Sequence, residues 1–254
     1  MSRRIGRELQ TRFAHVGLAT MWRATTTPTI AKRAKFLKRF LSTLDVTGLR
    51  VLELGCGPGG NLLELVRRAP TALTGVDISA SMLALAAQAL AQAGIPVELK
   101  KTDGQRLPLE DRSVDLAFTV TVLQHNVDPA MFSRMVEELG RVTAGRIVSI
   151  EDTGTSVSPA EGDTFIVRPI EAYRVEFGRH GFRLASATCL NLRFSRRVRD
   201  QLWRLLFPSG HREGQRLGFF PRTVLRSALG VTRHLDDLAP ETRDLTKMVF
   251  VRGE

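Results

Sequence analysis

A chain of 254 residues, 43% hydrophobic and 25% charged, has the make-up of a soluble globular protein in one large domain or two small ones. No run of 18 apolar residues is present, so no transmembrane helix is expected, and the basic start MSRRIGRELQ is not followed by the apolar stretch of a signal peptide. Two cysteines, Cys56 and Cys189, make no disulfide framework, so a cytoplasmic protein with reduced thiols is expected. The net charge of +11 narrows the partners to nucleic acid, an anionic membrane surface or an acidic substrate. That charge is concentrated. Residues 1–50 hold 11 Lys and Arg against Glu8 and Asp45, and residues 193–235 hold 10 Arg against Asp200 and Glu213, while the middle is mildly acidic.

In chain order, residues 5–44 read as two helical pieces separated by TTTPT, with Pro28 near the start of the second. LRVLEL (49–54) is a buried strand, and 60–68 a helix that begins among glycines. ALTGVD (72–77) is a second strand. The Ala/Leu-rich run 80–93 predicts a helix with Ser79 as N-cap and Gly94 at its end. Short strands follow at 96–101 and 114–120, then a helix over 129–142 and a strand over 145–151. A helix over 169–180 precedes a strand at 182–191, arginine-rich helical pieces lie around 196–207 and 221–229, and a last strand spans 245–252. Strands alternating with helices of this length predict an α/β fold, a mostly parallel sheet covered on both faces.

The stretch VLELGCGPGG (51–60) poses the functional question, because four glycines crowd six positions directly after a strand. Gly55, Gly57 and Gly60 satisfy the dinucleotide spacing G-x-G-x-x-G, which by itself is a weak match. Glu53 decides between ligands. A carboxylate at the strand end would repel a pyrophosphate seated at a helix N-terminus, but it suits a ligand that carries a sulfonium and an amino group.

ELGCGPG resembles the first motif of the class I methyltransferases that use S-adenosylmethionine (SAM). GVDIS (75–79), TDGQRLPLED (102–111) and SVDLAFTVTVLQHNVDP (113–129) keep step with the family's next three motifs over roughly residues 45–192, plus the last strand. The resemblance implies a seven-stranded, mostly parallel Rossmann-like sheet with helices on both faces. It implies a single domain: an N-terminal helical cap (1–44), a SAM-binding core (45–192 and 241–254) and a helical insertion or lid (193–240). The implied cofactor contacts are Glu53, Gly55, Cys56, Gly57 and Gly59 around the glycine loop, and Asp77 on the ribose hydroxyls. Ile78 and Met82 would flank the adenine, Asp103, Gly104 and Gln105 its amino edge, and Val120 and Thr121 the methyl-donor site.

The acceptor is less legible. His125, just past the fourth strand, is the candidate general base, although a loop-orienting or cofactor contact fits it too. His15, Trp22, Glu151, Asp152, Arg168 and Tyr173 are other candidates for the pocket, and Asn61 reads as helix capping or a ligand contact. No Asn/Asp-Pro-Pro-Tyr motif and no metal-binding His/Asp/Asn cluster is present. The leading expectation is methyl transfer to oxygen or nitrogen of a small-molecule, glycan or lipid-linked acceptor, anionic in character, by a monomer or homodimer. The arginine-rich segment at 193–235 would meet that acceptor or lipid headgroups at an anionic membrane surface. The alternative is an RNA methyltransferase using the two basic segments; DNA is not expected. A non-catalytic SAM-binding subunit and a nicotinamide-dependent oxidoreductase are the remaining readings.

Overall fold

Leu52, Ala117 and Ile147 face one way, and their strand neighbours Val51, Leu116 and Val148 face the other, because successive side chains of a strand alternate between faces. Both sets are apolar and fully buried, which forces helices onto both sides of the sheet. The computed structural model describes residues 37, 39–42, 44–92, 97–159, 165–190, 193–206, 224, 227 and 245–253. Its elements are β1 (Arg50–Leu54), α1 (Gly60–Leu65), β2 (Ala72–Asp77), α2 (Ala80–Gln92), β3 (Glu98–Lys101), β4 (Val114–Val120), α3 (Pro129–Val142) and β5 (Thr143–Asp152). A two-stranded hairpin, β6 (Ser158–Pro159) with β7 (Ile166–Val167), precedes α4 (Ile170–Arg179), β8 (Phe182–Leu190), α5 (Arg193–Leu206) and β9 (Leu245–Arg252).

Seven strands form one sheet in the order β3-β2-β1-β4-β5-β9-β8, parallel except for β9, which runs antiparallel to both neighbours. The expected fold class is thus the observed one. Phe132, Val136 and Leu139 of α3 and Tyr173 and Phe177 of α4 cover one face, while Leu62 and Leu65 of α1 and Ala86 and Leu90 of α2 cover the other. Phe40, Leu41 and Leu44 complete that second face. The strand order reverses between β1 and β4, which opens a crevice outside their carboxyl ends.

Expected and observed boundaries differ in instructive places. The helix expected over 60–68 is α-helical only to Leu65; Val66–Arg68 tighten into a 3-10 turn and Ala69 turns left-handed at φ 50°, because Pro70 bars its predecessor from helical geometry. β5 starts at Thr143 rather than 145, since Thr143 pairs with Val114 across an irregularity in β4. The 158–167 hairpin was not expected from the sequence. The helices expected before residue 37 and most of those at 221–229 lie outside the described residues. Among the described residues no helix is long and apolar enough to cross a membrane.

The loop carrying Asp103 is fastened to α3 by one charged cluster. Arg141 donates to the carbonyls of Leu107 (3.0 Å) and Leu109 (2.8 Å), to Asp111 (2.7 Å) and to both oxygens of Glu138 (2.8 and 2.9 Å). Glu138 also accepts the Leu107 N–H at 2.8 Å. Burial alone would raise the Glu138 carboxyl, but Arg141 and that N–H outweigh it and hold it below its ordinary value. Replacing Arg141 by Met leaves this buried carboxylate uncompensated, so Arg141→Met is expected to cost about 3 kcal/mol of stability in urea unfolding at neutral pH.

Candidate active site at the crevice between β1 and β4

Glu53, one residue from the end of β1, is 1% exposed. Its Oε1 accepts the Asn61 side-chain N–H at 2.6 Å, while Oε2 is buried with no hydrogen-bond partner among the described residues. Burial pushes the Glu53 carboxyl up to about 8; the Asn61 hydrogen bond works against this and the charge of Asp77 adds to it. At neutral pH without a ligand this group is mostly protonated, and a nearby cation would ionise it. Asn61 therefore orients Glu53 and does not cap α1, whose N-cap is Gly59 in a left-handed conformation.

Asp77 closes β2 and ties the glycine loop to it. Its Oδ2 accepts the Gly57 N–H at 2.9 Å and its Oδ1 the Ser79 N–H at 2.8 Å. A carboxylate offers about four acceptor positions, so two remain for hydroxyl donors such as those of a ribose. Ser79 caps α2 as expected, its hydroxyl accepting the Met82 N–H at 3.4 Å, and Met82 is buried on that first turn. The Cys56 side chain is buried. The thiol lies in the apolar cluster against Gly75, where a Cβ would come within 2.9 Å of its sulfur, so only the Cys56 backbone is left to face a ligand.

Gly55 shows why bare backbone is needed. Its φ is +71°, and an added Cβ would sit 2.3 Å from Val122 Cγ2, across the point where the strand order reverses. On the far side, Ile78 is half exposed, and its Cδ1 lies 3.4 Å from where a Cβ on Gly104 would stand. Ile78 and Asp103 line a cleft of about 740 Å³ together with Thr102, Arg106 and Leu107. Asp103 Oδ1 accepts the N–H groups of Gln105 (2.9 Å) and Arg106 (3.1 Å), which hold its carboxyl below the usual value. Gln105 is exposed in the same turn.

β4 ends at Val120, and Thr121 then adopts a left-handed φ of 54°, uncommon for a β-branched residue and a form of strain that clusters at functional sites. Its N–H bonds the Ile150 carbonyl at 2.7 Å. The 3-10 turn Leu123–His125 follows, and the His125 ring meets Phe165 edge-on at 5.9 Å, beside the hairpin. Of the other candidates, Tyr173 is fully buried against Phe132 in the core. Glu151 and Arg168 are also buried, at 0% and 5% exposure, and both grip the turn after β4. Asp152 is half-buried and exchanges two hydrogen bonds with Gln124. His15 and Trp22 lie outside the described residues. Sequence reasoning left Asn61 undecided and passed over Gln124 and Phe165; only Asn61, one turn into the helix after a strand-end carboxylate, carried a signal. Among the described residues no group of three or more His, Cys, Asp and Glu side chains converges as a metal site.

A sheet of this order, with a glycine loop and two carboxyl groups at its crevice, is the architecture that the resemblance to class I, SAM-dependent methyltransferases implies. Residues 51–145 match the family described as "Methyltransferase domain". The chain is 30% identical over 99 residues to a ubiquinone biosynthesis O-methyltransferase of Rhizobium etli, an alignment that covers 39% of this chain and 40% of that enzyme. It spans well under half the length of the curated relatives it matches. Among solved structures, the [4+2]-cyclase SpnF shares the fold at a TM-score of 0.58 with 21% identity, covering 88% of this chain and 81% of that one. Phosphoethanolamine N-methyltransferase 2 of Haemonchus contortus, in complex with SAM, does so at 0.57 with 19% identity, covering 86% of this chain and 51% of that one. SAM fits the residues present: a buried Glu53 oxygen lacks a hydrogen-bond partner among the described residues, and Asp77 has acceptor capacity beyond its two N–H bonds.

Two outcomes follow from this geometry. Glu53 binds its proton more tightly folded than unfolded, so its contribution to stability is complete below about pH 4.5 and is lost as pH rises through about 8. Thermal melts of the ligand-free protein should fall over that window, and Glu53→Gln should flatten part of the slope. Glu151, raised by burial to about 7, supplies another part. Separately, Gly55→Ala should lower the melting temperature and weaken SAM binding, and adding Val122→Ala should restore part of both, as read by melts and calorimetry.

Proposed function

We propose that the protein transfers the methyl group of SAM to an oxygen or nitrogen of a small-molecule, glycan or lipid-linked acceptor of anionic character. The observation that carries this reading is the buried Glu53 oxygen without a partner beside Asp77, within the segment that matches a methyltransferase domain. SAM, when bound, supplies an activated methyl group on a sulfonium. Glu53 and Asp77 would hold its cationic and ribose portions, and Ile78, Asp103 and Gly104 its adenine.

The chain's remaining tasks are to orient the acceptor, exclude water and accept a proton. Val120 ends β4 and Thr121 follows it next to the glycine loop, and His125 lies one turn further on, half-buried against Phe165. In this reading His125 would take the acceptor's proton. An oxygen acceptor is supported by the O-methyltransferase likeness. The anionic character is supported by the concentration of Lys and Arg in residues 1–50 and 193–235.

A screen with methyl-labelled SAM against small soluble compounds, lipid-linked compounds and RNA tests the reading. Label is expected in one of the first two groups, whereas RNA labelling that falls steeply with salt would overturn it. Asp77→Ala should weaken cofactor binding by about 1–3 kcal/mol. His125→Ala should cut turnover by about 10²-fold or more, with SAM affinity retained. Unchanged turnover would remove His125 as the base.

A further inference from the structure

The turn that follows β4 is held by two buried side chains, the acid Glu151 and the base Arg168. Glu151, on β5, collects the N–H groups that open the turn. Its Oε1 accepts from Val122 (3.3 Å) and Leu123 (3.1 Å) and its Oε2 from Gln124 (3.2 Å), with the Thr119 hydroxyl adding a bond at 2.9 Å. Arg168, beyond the hairpin, donates to the Leu123 carbonyl (3.3 Å), which also accepts the Asn126 N–H, and to the Asn126 carbonyl that closes the turn. Its guanidinium is fixed over the Phe132 ring at 4.2 Å. Between them, the Gln124 side chain pairs with the backbone N–H and carboxylate of Asp152, at 2.8 and 3.3 Å.

One turn of 3-10 helix leaves its first N–H groups and last carbonyls without internal partners, and in a buried place each would cost free energy. Glu151 and Arg168 satisfy several of these groups at once. Neither side chain points to open solvent, so neither is a surface ion pair. What they fix matters. The same short segment carries Thr121 in its strained conformation, Val122 pressed against Gly55, and His125 against Phe165.

We propose that Glu151 and Arg168 are positioning residues for methyl transfer, fixing the 121–126 turn so that Thr121 and His125 stand where donor and acceptor meet. This rests on the function proposed above, and neither residue touches the reacting atoms. Donor-side residues such as Glu53, Asn61 and Asp77 bond one another and the glycine loop without help from the clamp. Loosening the turn should therefore impair turnover more than cofactor affinity.

The test compares Glu151→Gln, Arg168→Met and the double variant, with Glu151→Asp and Arg168→Lys as milder replacements if the first pair fold poorly. Three quantities are read well below each variant's melting temperature: amide hydrogen exchange at residues 122–126, S-adenosylhomocysteine affinity by calorimetry, and turnover with an acceptor from the screen. Exchange at those amides should quicken about tenfold or more while β1 and β4 stay protected. Turnover should drop about tenfold or more with KM for SAM near its original value. The double variant should lose less than the two single losses combined, because both act through one turn. Arg168→Lys, which keeps the charge but not the fork, should recover part of the loss.

Unchanged exchange at 122–126 would overturn the proposal. So would a collapse of S-adenosylhomocysteine affinity equal to the fall in turnover, which would make these residues supports of the fold or donor site. If the unaltered protein methylates nothing in the screen, the proposed function fails, while the exchange and affinity arms still decide whether the clamp holds the turn independently of the donor site.

Discussion

The structure is organised around a carboxyl group that water cannot reach. Glu53 lies at the end of the first strand, beneath the glycine loop and beside the strand-end Asp77. Burying a charge without a partner is costly, and the protein meets the cost by letting this group hold its proton until a cation arrives. Much of the surrounding architecture serves that arrangement. Asn61 orients one oxygen, and Asp77 accepts the Gly57 N–H of the loop and the Ser79 N–H before α2. The sheet's change of strand order supplies the crevice into which the other oxygen can be used. A group so tuned weakens the empty protein and strengthens the loaded one, the usual compromise at a binding site.

The second half of the crevice is built by a different device. Where the donor side relies on bare backbone and two carboxyl groups, the side after β4 relies on a short turn whose own backbone bonds are supplemented by side chains from β5 and from beyond the hairpin. The contact between Val122 and Gly55 joins the two halves at van der Waals range. That contact explains why a glycine is required at the first position of the loop: the constraint there comes from a neighbouring strand's loop as much as from the ligand.

The strands and the main helices were legible because their signals are local. Fully buried parallel strands read as apolar runs, and the α2 segment reads as an Ala/Leu helix with a serine cap. The two carboxyl groups at the crevice were legible for a related reason, since Glu53 and Asp77 each sit at a strand end. Three features were not. The Cys56 thiol turns into the core because of packing against Gly75, which no spacing reveals. The hairpin at 158–167 has strands of two residues, too short for any period to register. The clamp of Glu151 and Arg168 joins residues 27 to 45 positions apart, and a carboxylate that reaches back to another strand's turn looks, in sequence, like one that faces a ligand.

The claim that this crevice is shaped for a cationic adenosyl compound reduces to the protonation of Glu53. Calorimetry of SAM binding near neutral pH, repeated in buffers of different ionisation enthalpy, measures the protons exchanged on binding. The expected result is release of most of one proton by the unaltered protein, shrinking above about pH 8 and absent in Glu53→Gln. Binding without proton release, or the same release in Glu53→Gln, would contradict it.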